Sequence, residues 1–175
     1  LSYSNFKHEF EISKLLKKNA VGISNLSKER LLDELKKFFN SNILIKLSKD
    51  KFSLEIFEII FPQLKNFKLF SNPNNFAKNM IEESDFIFLL STLIIDKTDN
   101  AEYFIYKFNI SKKDHKRLKI IYDFYKDKIT SKSFSENNLN KIFYYKGKQA
   151  VIDILSFKIF TSRKIDANIL KFIEQ

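Results

Sequence analysis

Two glycines and two prolines among 175 residues leave this chain few ways to make tight turns. All-β folds need such residues at almost every reversal, for positive φ or a fixed φ. A glycine loop that cradles phosphate is excluded as well, because Gly22 and Gly147 stand far apart and alone. Apolar residues make up 44% of the chain, enough for a real core. The predicted fold is therefore all-α, an irregular multi-helix array of about ten helices with no strand and no fixed repeat period.

Helical spacing supports this along nearly the whole length. A first helix is predicted over 8–19, with Gly22 as a left-handed stop. The stretch "ISNLSKERLLDELKKFF" at 23–39 has Ser27 where an N-cap belongs, and Leu26 and Leu31 spaced as a hydrophobic staple. Leu31, Leu32, Leu35, Phe38 and Phe39 form its core stripe, with Arg30–Glu34 and Asp33–Lys37 as i,i+4 pairs opposite. Further helices are predicted over 43–47, 54–60 (capped by Ser53 and ended by Pro62), 76–81, 85–95 (capped by Ser84) and 101–108. Ser111 to Asp114 has the form of a capping box. It opens a long helix with Leu118, Ile121, Tyr122, Tyr125 and Ile129 on one face. A helix capped by Ser135 and stopped at Gly147, then helices over 149–161 and 166–173, complete the chain. The loop "SNPNN" at 71–75 marks a boundary between residues 1–70 and 71–175.

Charge is unevenly placed. The net charge is +10, yet residues 111–175 hold 15 Lys/Arg against 7 Asp/Glu, while residues 1–110 hold 16 against 14. That asymmetry suits a polyanionic partner. A lysine bias of composition is the plainer alternative. There is no cysteine, which removes disulfides, thiolate zinc sites and a cysteine nucleophile, and fits a cytoplasmic protein. No apolar run approaches the roughly 18 residues of a membrane span. "FIFLLSTLII" at 86–95 reads as a buried helix, and no membrane partner is expected. The first residue is Leu1, so a piece of a longer chain is expected.

No residue set reads as an active site. His8 and His115 are the two histidines, and both read as surface residues. Asp33-Glu34 and Glu82-Glu83 are neighbours that diverge by about 100° on a helix. The notable serines sit at helix starts, where capping accounts for them. No catalytic residue and no metal ligand is expected here. The basic helix is more informative. Lys112, Lys113, Lys116, Arg117 and Lys119 could neutralise RNA phosphates. Six of the seven tyrosines, Tyr103 through Tyr145, fall around it and could stack on bases. A solvated lysine face with tyrosines at the core edge would look the same.

The motif "LSKERLLDELKKFF" resembles the neck-region motif "(I/L)S-x-E-R-(I/L)-x-x-E-L" of the bacterial CCA-adding tRNA nucleotidyltransferase and poly(A) polymerase family (class II). An asparagine-containing turn at 19–23 and the segment "IFEIIFPQL" at 56–64, in place of the family's "FPEL" or "LPEL", agree with it. The resemblance implies a neck-like region at 1–70, incomplete at its N-terminus, and an RNA-binding helical body and tail at 71–175. It implies that Ser27, Glu29 and Arg30 support a nucleotide pocket lying outside this chain. It also implies that the catalytic head, with its Mg²⁺ and its CTP or ATP, belongs to an N-terminal domain of the same polypeptide. The chain alone then has no cofactor and is expected to be inactive. The activity implied for the intact enzyme is nucleotide addition to RNA 3′ ends, most directly in tRNA 3′-end processing. A helical protein–protein interaction module is the main rival, and a helical phosphohydrolase-like domain a lesser one.

Overall fold

The computed structural model describes residues 10–23, 26–39, 41–126 and 129–163 of the chain. Among these residues the protein is all-α, with ten α-helices, two short 3₁₀ turns and no strand. In chain order the helices are α1 (Phe10–Ile23), α2 (Lys28–Phe38), α3 (Ser41–Leu47), α4 (Lys51–Ile60) and α5 (Asn75–Glu83). Then come α6 (Phe86–Ile94), α7 (Asn100–Phe108), α8 (Lys112–Lys126), α9 (Glu136–Lys146) and α10 (Lys148–Ser162). The helix expected over 166–173 and His8 lie outside the described residues.

Helix α6 is the hub. Every residue from Ile87 to Ile94 is buried, and α7, α8 and α10 pack on it. Its two hydroxyls are satisfied within the helix: Ser91 Oγ donates to the Phe88 carbonyl at 2.6 Å, and Thr92 Oγ1 donates to that of Leu89 at 2.7 Å. A helix this deeply buried must also satisfy the carbonyls of its last turn. The segment after Pro62 does much of this. The Lys65 and Asn66 N–H groups donate to the Leu93 carbonyl at 2.9 and 3.3 Å. Asn66 Nδ2 donates to the Thr92 and Ile95 carbonyls at 3.1 and 2.9 Å. Asn100 Nδ2 reaches the Ile94 carbonyl at 3.0 Å and the Gln63 carbonyl at 2.6 Å. The "FPQL" segment is thus fastened to the C-terminal end of α6.

One hydrophobic cluster runs from Ala20 to Phe160 and crosses residue 70 without a break. Phenylalanines carry much of it. Phe38 stacks on Phe57 at 5.1 Å, Phe104 meets Phe108 at 4.5 Å, and Phe160 of α10 lies 5.3 Å from Phe70. A smaller cluster of Leu139, Val151, Leu155 and Ile159 lies under α9 and α10. No helix is long and apolar enough to cross a membrane, among the described residues.

Several local expectations are corrected. Gly22 does not stop α1: the helix runs to Ile23 without positive φ at Gly22, so 19–23 is helical and no asparagine turn lies there. Asp50, not Ser53, caps α4, accepting from the Phe52 and Ser53 N–H groups at 3.1 and 3.3 Å. Asp85, not Ser84, caps α6, because the Ser84 hydroxyl turns back to the Met80 carbonyl at the end of α5. In both cases the helix takes the carboxylate, the stronger acceptor for N–H groups that carry the positive end of the dipole. Ser135 stands at the start of α9, but its hydroxyl donates backwards to Lys132. Leu26 is 43% exposed while Leu31 is buried, so the staple spacing does not bury both residues. On α2, Lys37 pairs with Glu34 at 2.9 Å, in place of the expected Arg30–Glu34 and Asp33–Lys37 pairs. Ile129 lies beyond the end of α8.

Candidate nucleic-acid interface

Ser27 starts α2 as its sequence context implies. Its Oγ accepts the Arg30 N–H at 3.3 Å. This cap fixes where the first turn points. Leu31, Leu32 and Leu35 go into the core, and Lys28, Glu29 and Arg30 are left in solvent. Arg30 makes no ion pair with any described residue.

The start of α2 faces a cleft of about 820 Å³ whose far wall is made by α7 and α8. Lys28 and Glu29 line it from α2, Glu102, Tyr106 and Lys107 from α7, and His115, Lys119 and Tyr122 from α8. Asn109 holds the corner between α7 and α8 in the left-handed region, with φ 45°. That conformation is tolerated by Asn better than by most residues. The fold therefore brings Glu29 of the neck-like motif to the same cleft as Lys119 of the basic helix, some ninety positions away.

The α8 basic residues divide into two groups. Lys112, Lys116 and Lys119 are spaced i, i+4, i+7 and share one exposed face, with Lys113 exposed beside it. Lys119 also meets Asp123 at 3.2 Å, a surface pair of small energetic weight. Arg117 lies apart from them. It points inward, with 21% of its side chain exposed. Its Nε and Nη2 donate to the two carboxylate oxygens of Asp153 on α10 at 2.6 and 2.7 Å, and Nη1 donates to Asp85 at the start of α6. Asp153 is 2% exposed and also accepts from Gln149 Nε2 at 2.9 Å. Burial works against an ionised Asp85, but the Arg117 guanidinium and the Phe88 N–H overcome it and hold the carboxyl below its usual range. Hydrogen bonding to Asp153, opposed by burial, raises Arg117 above its already high ordinary value. This arginine, grouped with the RNA-facing lysines on sequence alone, instead joins α6, α8 and α10.

At the start of α8 the expected capping box is half formed. The Asp114 N–H donates to Ser111 Oγ at 3.2 Å, but the Asp114 carboxylate accepts from the Ser111 hydroxyl at 2.9 Å. The shorter aspartate reaches the hydroxyl where glutamate would reach the backbone.

The six tyrosines divide as well. Tyr122 is buried, and its hydroxyl finds no hydrogen-bond partner among the described residues. Tyr125 donates to the Ile154 carbonyl at 2.7 Å, and burial pushes its phenol far above the ordinary range. Tyr103, Tyr106, Tyr144 and Tyr145 are exposed. No group of three His, Asp or Glu side chains that could hold a metal converges among the described residues. Sequence alone does not show Lys28, Lys107 and Glu102 as neighbours of the basic helix: α7 packs on α8 and brings Lys107 and Glu102, and α2 packs on α7 and brings Lys28.

Residues 5–68 match a family model described as the probable RNA and SrmB-binding site of polymerase A. No curated protein and no solved structure matches the chain. The matched span contains both motifs that carry the resemblance, Ser27 to Arg30 and Phe61 to Leu64. Over these residues, a little over a third of its length, the chain is similar to the RNA-binding region of polymerase A.

Proposed function

We propose that this chain is the RNA-holding portion of a polymerase that adds nucleotides to RNA 3′ ends, with tRNA as the RNA held. The observation that carries the reading is the cleft shared by the neck-like motif and the basic helix. Lys28, Lys107 and Lys119 stand where phosphates of a bound strand would lie, and Lys112 and Lys116 extend the same face of α8. Lysine ammonium groups neutralise phosphate without reading sequence, which suits a surface that positions RNA. Glu29 and Glu102 can accept hydrogen bonds from ribose 2′-hydroxyls, a contact that favours RNA over DNA. Lys112, Lys113, Lys116 and Lys119 keep the RNA role expected from sequence, while Arg117 holds the helix that presents them. Ser27 sets the direction of the α2 first turn, and Arg30 projects from it.

In this reading Mg²⁺ and CTP or ATP belong to an N-terminal catalytic part of the same polypeptide. The chain itself then holds RNA without reacting with it, and the intact enzyme works in the bacterial cytoplasm. Measuring tRNA affinity against salt tests the proposal. Log affinity should fall steeply with log salt. Changing Lys28, Lys107 and Lys119 to Ala should flatten that slope by roughly 0.7–0.9 per lost phosphate contact. A flat response in the unaltered chain, or an unchanged slope in the variant, would sink it. The family description also names SrmB, which favours a second reading as a protein-contact module. Binding to a protein partner with no affinity for RNA would support that reading instead.

A further inference from the structure

Three successive aromatic side chains on α9 stand in solvent. Phe143, Tyr144 and Tyr145 are 50%, 81% and 75% exposed. Leu139 anchors the helix in the smaller core cluster. At about 100° per residue, Tyr144 and Tyr145 fall on either side of the direction opposite Leu139. Lys141, three positions before Tyr144 and four before Tyr145, falls between them on that outward face. The two tyrosine rings meet edge to face with centroids 5.0 Å apart. Lys146 and Lys148 follow at the α9–α10 corner, both exposed. No acidic residue lies between Glu136 and Asp153.

Adjacent exposed rings set among lysines form the chemistry that holds single-stranded nucleic acid. Every base has a π-face to stack, and lysines follow the backbone. We propose that the α9–α10 corner is a stacking platform for unpaired RNA nucleotides, with Tyr144 and Tyr145 taking bases and Lys141 and Lys146 taking phosphates. The platform rests on the RNA-holding reading and adds to it a second surface, made of residues other than those lining the cleft. Charge decides the occupant: Lys141 and Lys146 stand beside the rings and the segment 137–152 contains no acidic residue, which favours a polyanion over a protein surface of mixed charge.

The test uses the 175-residue chain and its Tyr144→Ala/Tyr145→Ala variant. The probes are a single-stranded RNA of about twelve nucleotides and an RNA duplex with as many phosphates. The variant should bind the single strand about 5- to 30-fold more weakly and the duplex within about twofold of the unaltered chain. Tyr144→Phe/Tyr145→Phe should restore single-strand binding, whereas Tyr144→Leu/Tyr145→Leu should not, which separates stacking from plain apolar contact. Equal single-strand affinity in the alanine variant overturns the platform alone and leaves the cleft standing. Failure of the unaltered chain to bind either RNA overturns both.

Discussion

The cleft and the α9–α10 corner are both basic, but they are assembled in different ways. The cleft gathers Lys28 and Glu29 from α2 and Glu102, Lys107, His115 and Lys119 from the consecutive helices α7 and α8, far along the chain. It contains both signs of charge. The corner is made by consecutive residues of one helix and the start of the next, and from Lys141 to Lys148 it carries only positive charge. The cleft exists only while α2, α7 and α8 keep their places. The corner needs little more than α9 and the turn that ends it. A surface built from distant segments can set a strand's path relative to the neck-like motif, whereas a local one can grip bases but cannot orient them against anything remote.

The largest effect that would sharpen this contrast is expected at Arg117. Arg117→Ala should cost about 3–5 kcal/mol, because it leaves the buried Asp153 carboxylate without its charge partner. Denaturant unfolding measures this. A loss under about 1 kcal/mol would mean that α8, and with it the cleft wall, does not depend on the arginine. Gly147 should come next. Its φ of 90° and ψ of 170° belong to a region that is nearly exclusive to glycine, although the space around an added Cβ is open. Gly147→Ala should therefore cost about 1–3 kcal/mol through the backbone alone. If thermal unfolding of that variant matches the unaltered protein, the corner is not set by this turn.

The smallest effect expected is with pH. The Asp85 carboxyl is held below its ordinary value in the folded chain, so its contribution is complete above the unfolded value of about 4. It is lost as pH falls through the folded value. An acid titration of stability should show Asp85→Asn flattening the decline below about pH 4. An unchanged profile would remove Asp85 from the acid response.

Where the governing interactions were local, the sequence was readable. Helical spacing gave the α2 stripe of Leu31, Leu32 and Leu35, and Ser27 caps as its position implied. Gly147 ends α9 as expected. The caps at Asp50 and Asp85 were missed because each lies close to a serine, and only the final helix start reveals which side chain the N–H groups choose. The inward turn of Arg117 was hidden for a different reason. On the helix it neighbours Lys113 and Lys116, and its partners Asp85 and Asp153 lie more than thirty residues away in either direction. Lys28 joined the cleft by the same long-range route. The aromatic run at 143–145 is legible in the sequence, since three adjacent rings spread over about 200° of a helix cannot all face one core.

The sequence by itself determined that this protein would be helical, that α6 would be buried, and that its N-terminal part would resemble a polymerase RNA-binding region. Apolar spacing, the scarcity of Gly and Pro, and the motifs at Ser27–Arg30 and Phe61–Leu64 were sufficient. Tertiary structure alone decided which charges act together. It placed the first turn of α2 beside α8, turned one arginine inward to Asp85 and Asp153, and left the neighbouring lysines in water. The physical reason lies in how the two kinds of information are stored. Backbone propensity and amphipathic period act over a few residues, whereas a cleft and a buried ion cluster form only when distant segments pack and exclude water between them.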